Sequence, residues 1–151
     1  MSTWERLADL PLRIDGYALE GHVFEVPNFV RRTTTYRLRG AGEEGLGEDV
    51  VYDADDQERI QAAGPVHPLA GDWTLRTFSE HVATLELFGS SPPEMAAFHD
   101  YRTWALESAA LDLALRQART SLHEALGREI RPLTFVNSMR LGEPPDFDLV
   151  G

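Results

Sequence analysis

Residues 101–127, Y-R-T-W-A-L-E-S-A-A-L-D-L-A-L-R-Q-A-R-T-S-L-H-E-A-L-G, place apolar or small side chains at Trp104, Ser108, Leu111, Leu115, Ala118 and Leu122. Spacing by threes and fours marks one helical face, so the stretch predicts a long helix packed along that stripe. The helix is expected to start near Pro93 or Glu94, with Phe98, Tyr101 and Trp104 as its bulky early contacts. Around Thr120 it should break and restart, because Ser121 followed three residues later by Glu124 has the form of a capping box. Gly127 then supplies a residue that tolerates a left-handed stop.

Upstream, three segments read as extended: Leu12 to Phe24, Arg31 to Arg39 and Leu46 to Tyr52. The second alternates Arg32, Thr34, Tyr36 and Leu38 with Thr33, Thr35, Arg37 and Arg39, which suits a pleated surface. The link Gly40 to Gly45 is glycine-rich, as a tight hairpin needing positive φ requires. A short helix is expected at Asp55 to Ala63, then a second capped by Thr74 or Asp72, with Leu75, Phe78, Val82 and Leu85 on one face. After Gly127, Pro132 to Leu141 reads as one more strand, stopped by Gly142-Glu143-Pro144-Pro145. The expected class is α+β: a three-stranded antiparallel meander packed on a small helical bundle, followed by one orphan strand.

At 151 residues, with 42% apolar and 26% charged content, the chain has the length and balance of one soluble domain. No run approaches the roughly 18 apolar residues of a membrane span, and M-S-T-W-E-R-L-A-D-L-P lacks the features of a secretory signal. A cytoplasmic location is therefore expected. With no cysteine there is no disulfide, thiolate metal site or cysteine nucleophile. All 14 basic residues are arginine, they are scattered, and the formal charge is −11, which argues against binding a phosphate backbone.

The order E-S-A-A-L-D-L-A (107–114), S-L-H-E-A-L-G (121–127) and R-P-L-T-F-V-N-S (131–138) resembles the end of the N-terminal capping domain of enolase-superfamily enzymes. The hairpin Y-R-L-R-G-A-G-E-E-G-L-G-E-D-V (36–50) is similar to that domain's second and third strands. The nearest branch groups muconate-lactonizing enzyme, mandelate racemase and o-succinylbenzoate synthase. The resemblance implies that residues 1–128 are the capping domain. Residues 129–151 would be the first strand and loop of an otherwise missing (β/α)8 barrel.

It also implies the chemistry: abstraction of the proton next to a carboxylate by a Lys or His base, with Mg²⁺ stabilising the enediolate. Base and metal ligands belong to later barrel strands, at the C-terminal face where barrel active sites form. Only 24 residues follow Gly127, where a barrel needs roughly 200 or more, and there is no lysine to act as a base. The expectation is a cap inactive by itself, with no catalytic or metal-binding residue of its own and Mg²⁺ only in the complete enzyme. Its expected partners are the missing barrel and, in the complete enzyme, a small carboxylate substrate. Neither nucleic acid nor membrane is expected, and a homo-oligomer is left open.

In the family two cap loops close over the substrate, which by position are about Phe24 to Val30 and about Tyr52 to Asp56. Phe24, Pro27, Phe29 and Asp53 are the implied lid residues. Ser138, beside Asn137 at the end of the first barrel strand, is placed to reach a substrate carboxylate. The plain alternatives are a loop stapled to the sheet and a strand-end hydroxyl bonded to backbone.

The acidic run Glu43, Glu44, Glu48, Asp49, Asp53, Asp55, Asp56 and Glu58 fails the Ca²⁺-loop pattern and reads as a solvated hairpin edge. The five histidines have no H-x-x-x-H pair, and no G-x-S-x-G turn is present. Glu107 and Asp112 lie about 140° apart around a helix, so they serve separate partners. The rival to the cap is a free-standing binding or interaction module derived from it.

Overall fold

The computed structural model describes residues 2–26, 29–135, 144 and 146–150. The architecture is α+β, with a three-stranded antiparallel sheet ordered β2-β3-β4 packed against helices and a separate two-stranded sheet. Chain order runs α1 (Thr3–Leu7), β1 (Pro11–Ile14), β2 (Gly16–Val26), β3 (Phe29–Gly40) and β4 (Glu43–Asp49). It continues with α2 (Ala54–Ala63), β5 (Gly71–Thr74), α3 (Leu75–Val82), α4 (Ala97–Gln117), α5 (Leu122–Leu126) and a 3₁₀ turn at Phe147–Val150.

The first expected strand is two. At Asp15 the chain turns a corner, so that β1 pairs with β5 while β2 pairs with β3. Asp15 holds that corner: its amide donates to Arg39 O at 2.7 Å, and its carboxylate accepts from the Ala41 amide at 3.1 Å and Arg13 Nε at 2.9 Å. Those two donors, the Ala41 amide foremost, hold its pKa below the ordinary carboxylate value. Strand β5 was missed because four residues, Gly71 to Thr74, carry too short an alternation to register as a strand.

The β3–β4 turn is tighter than the glycine run suggested. Only Ala41 (φ 51°) and Gly42 (φ 81°) form it, the paired positive φ values of a two-residue hairpin. Gly45 and Gly47 belong instead to strand β4, where they face helix α4. A Cβ on Gly47 would lie 1.9 Å from Ala105 O, and one on Gly45 would lie 2.3 Å from Ala109 O. These glycines let strand and helix backbones touch.

That contact reverses the expected helix face. The buried side of α4 carries Arg102, Ala105, Leu106, Ala109, Ala110, Leu113 and Ala114, whereas Trp104 and Ser108 face outward and Leu111 and Leu115 are half-buried. Both stripes have helical spacing, but only small side chains fit against the glycines of β4. The helix also begins at Ala97, later than Pro93 or Glu94.

Leu106 and Leu113 anchor the core with Leu12, Ile14, Leu38, Val51, Leu69, Phe78 and Val82. Burial of each large apolar chain contributes about 1.5–3 kcal/mol. Thr74 caps α3, Ser121 and Glu124 form a capping box, and Gly127 is left-handed at φ 60°, as expected from the sequence; Asp53, expected in a lid, caps α2. Residues 132–135 carry no strand, because no neighbouring strand offers them a ladder; residues 136–141 of that expected strand lie outside the described residues.

Candidate functional site

The two segments expected to act as lids meet through one arginine. Phe24 on β2 pairs with Arg31 on β3, whose guanidinium lies 4.0 Å from the centre of the Tyr52 ring and donates to Val50 O at 2.5 Å. The β2–β3 hairpin is thereby joined to the segment that follows β4. Phe24 is 67% exposed, and Val23, Val30 and Tyr52 are also exposed, so this end of the sheet presents apolar surface to solvent. Phe29 opens β3 opposite Val26. Pro27, Asn137 and Ser138 lie outside the described residues.

Asp53 has a structural job as well. Its Oδ1 accepts the Asp56 amide at 3.0 Å as the cap of α2. The cap directs the next turn of helix so that Asp56 and Gln57 point inward, where both are buried.

There the expectation of a wholly wet acidic edge fails. Glu44 does pair with Arg37 and Arg39 on the outer face of the sheet, at 2.5 Å and 2.7 Å. These arginines lower its pKa through hydrogen bonds. Asp49 and Asp56, however, are buried around Arg102, itself fully buried. Arg102 Nε donates to Asp49 Oδ2 at 2.7 Å, Nη1 donates to Leu87 O at 3.0 Å, and Nη2 donates to Asp56. Its guanidinium also stacks 4.0 Å from the Phe88 ring centre. The pairing follows from register: β4 runs antiparallel to α4, with Gly45 against Ala109, Gly47 against Ala105 and Asp49 against Arg102.

Arg59 reaches the other oxygen of Asp56 at 3.0 Å, and Gln57 ties Asp49 O, Val51 O and Thr34 together. No fully buried side-chain polar atom among the described residues lacks a partner. The sequence signal for this cluster was a lone arginine in register with the alanine face of α4. Glu107 and Asp112 serve separate partners: Glu107 accepts from Ser79, and Asp112 accepts from the Leu46 amide at 3.0 Å and from Arg116 at 2.9 Å.

Among the described residues no group of three or more His, Cys, Asp or Glu side chains is placed to hold a metal ion. The carboxylates of Asp49 and Asp56 are already taken by arginines, so the described residues do not fit Mg²⁺. No described helix is long and apolar enough to cross a membrane.

Two hollows remain. Beside the ion cluster lies a cleft of about 250 Å³, bounded by the sheet, α2 and the loop 86–91. His67 on its wall is half-buried, and burial followed by the Arg102 charge pushes its pKa below the ordinary histidine value. The unfolded chain therefore binds the His67 proton at higher pH than the folded one does. Stability should fall as pH drops below about 6.5 toward the folded value, a window above that of the depressed carboxylates Asp15, Glu44 and Glu124. Urea midpoints from about pH 7.5 to pH 5.5 should decline for the parent and flatten for His67→Gln.

On the other side, Trp4, Leu7, Leu75, Phe78, Trp104 and Leu111 line an apolar groove of about 220 Å³ between α1, α3 and α4. Trp104 is 58% exposed. The segment after Gly127 leaves beside this region, since Arg128 donates to Thr3 Oγ1 at 3.4 Å. It then exposes Ile130 (76%), Leu133 (76%) and Phe135 (85%).

No curated protein and no solved structure matches the chain. A family model does match residues 5–125, which run from α1 into α5 and hold the ion cluster, the cleft and the described residues Phe24, Phe29 and Asp53. The chain belongs to that family, described as the N-terminal domain of DUF8230, a domain of unknown function.

Proposed function

We propose that this domain is the substrate-selecting cap of a Mg²⁺-dependent enzyme that abstracts the proton next to a carboxylate, with the catalytic barrel supplied by a C-terminal partner. The observation that carries this reading is the apolar surface left open on one side. Trp4 and Trp104 flank a groove, and Ile130, Leu133 and Phe135 on the segment beyond α5 are covered by nothing in the described residues. An interface with a C-terminal body explains why these large side chains are left exposed. The family description as an N-terminal domain supports a body on the C-terminal side.

In this reading Phe24 and Tyr52 close over the substrate and exclude water, with Arg31 holding the two segments together. Water exclusion strengthens the electrostatics at the reacting carbon. Mg²⁺ and the base belong to the partner, which also chooses among racemisation, cycloisomerisation and dehydration. The absence of cysteine fits a reducing, cytoplasmic setting.

The test is to co-express the domain with the polypeptide encoded immediately downstream. Mg²⁺-dependent exchange of the α-proton into D2O is then followed by NMR across a panel of small carboxylic acids. Exchange by the pair and by neither part alone is expected. A tight complex that exchanges no acid overturns the enzymatic reading. A sharply monomeric domain that binds neither the partner nor an apolar dye overturns the cap.

A further inference from the structure

Glu107 is the one charged residue in the lining of the apolar groove between α1, α3 and α4. It is half-buried on α4 and accepts a hydrogen bond from the Ser79 hydroxyl. No salt bridge among the described residues involves it, whereas the inward carboxylates Asp49 and Asp56 and its helix neighbour Asp112 each have an arginine. A half-buried carboxylate against apolar walls gains most from a cation brought to it, because burial of an unpaired charge is costly.

The rest of the groove suits the same visitor. Its floor is Leu7, Leu75, Phe78 and Leu111, and its flanks are the exposed indoles of Trp4 and Trp104. Indole is the ring that attracts cations best. Trp4 already draws Arg76, whose guanidinium lies 5.9 Å from the ring centre and is matched by Asp9 at 3.3 Å. The lining itself contains no basic residue, and the chain charge of −11 adds a field that favours cations. Long basic side chains join an apolar stem to a charged head, which is the combination this groove offers to bind. We propose that the groove receives a lysine or arginine side chain of the C-terminal body, its stem along the apolar lining and its head on Glu107. The identity of the partner rests on the cap reading; the preference for an apolar cation is measured on this domain alone. One charge set in an apolar wall admits one position along α4, so the contact would fix the register in which the body meets the cap.

The test is a ¹H–¹⁵N NMR titration of the whole chain with hexylammonium, hexanol and hexanoate, which share a stem and differ in head charge. The three indole N–H signals report: Trp4 and Trp104 should shift saturably with hexylammonium, while Trp73, whose Nε1 donates to Leu69 O at 3.1 Å, should stay. Hexanol should bind about fivefold more weakly and hexanoate at least about tenfold more weakly. Glu107→Gln keeps an acceptor for Ser79, so its melting temperature should hold while hexylammonium weakens about fivefold. Glu94→Gln, at an exposed carboxylate outside the groove, should change affinity by less than about twofold. In the complex with the co-expressed downstream polypeptide, Glu107→Gln should weaken association about fivefold and hexylammonium should compete. The proposal is overturned by hexanol or hexanoate binding as tightly as hexylammonium, by undiminished binding in Glu107→Gln, or by an equal loss in Glu94→Gln. Tighter hexylammonium binding in Arg131→Gln would make this chain's own tail the occupant, and a dimer that dissociates in Glu107→Gln would make it a second copy; either overturns the proposal. A complex indifferent to Glu107→Gln overturns this contact and leaves the cap standing, whereas amine binding without any complex overturns the cap and its partner together.

Discussion

Arg102→Met is expected to remove a large share of the domain's folding stability. The side chain is fully buried, donates to both Asp49 and Asp56, and caps the Leu87 carbonyl. Methionine fills much of the same volume but leaves two interior carboxylates, Asp49 with the Val51 amide and Asp56 with Arg59 as the remaining partners among the described residues. Breaking a buried ion pair from one side costs about 3–5 kcal/mol, against a total stability of about 5–15 kcal/mol. Urea unfolding followed by circular dichroism measures the loss. Because the penalty comes from uncompensated charge rather than lost volume, adding Asp49→Asn and Asp56→Asn should restore a substantial part of it. A single Arg102→Met variant within about 0.5 kcal/mol of the parent would show that these charges are not balanced as the geometry indicates.

Local features were legible to the degree that they depend on neighbours in sequence. The Ser121–Glu124 box, the Thr74 cap and the left-handed Gly127 each follow from residues within four positions, and each is present. The meander was legible because β2, β3 and β4 are joined by short hairpins whose pattern shows in one window. What escaped depends on distance. Asp49 and Arg102 are 53 positions apart, and nothing in either neighbourhood names the other. Asp15 looks like any turn residue until the Ala41 amide is seen against it.

The candidate site was legible in outline only. Arg31 links the two expected lid segments, yet Asp53 within them is committed to a helix cap. The outward stripe of α4, read as its packing face, supplies Trp104 and Leu111 to the apolar groove. Large residues at helical spacing need not mark the buried face: here the outward stripe lines a surface groove, while the alanine stripe packs on the glycines of β4.

Gly47→Ala should destabilise the fold by about 3 kcal/mol, the upper part of the range for overpacking. One methyl group is enough, because the nearest atoms are backbone: Ala105 O at 1.9 Å and Ala109 N at 2.7 Å from the added Cβ. A flexible side chain can step aside from such a clash; a helix held by its own hydrogen bonds cannot. The strand must move instead, and moving it draws Asp49 away from Arg102 two residues further along. Gly42→Ala is the matched control, since that Cβ meets nothing within 4 Å and the cost is only the positive φ of 81°, about 1 kcal/mol. The ordering Gly47 well above Gly42, read from urea midpoints, separates close backbone approach from turn conformation as the reason for glycine in this hairpin. If both variants lose the same small amount, β4 and α4 are not in backbone contact. The alanine face of α4 would then need another explanation.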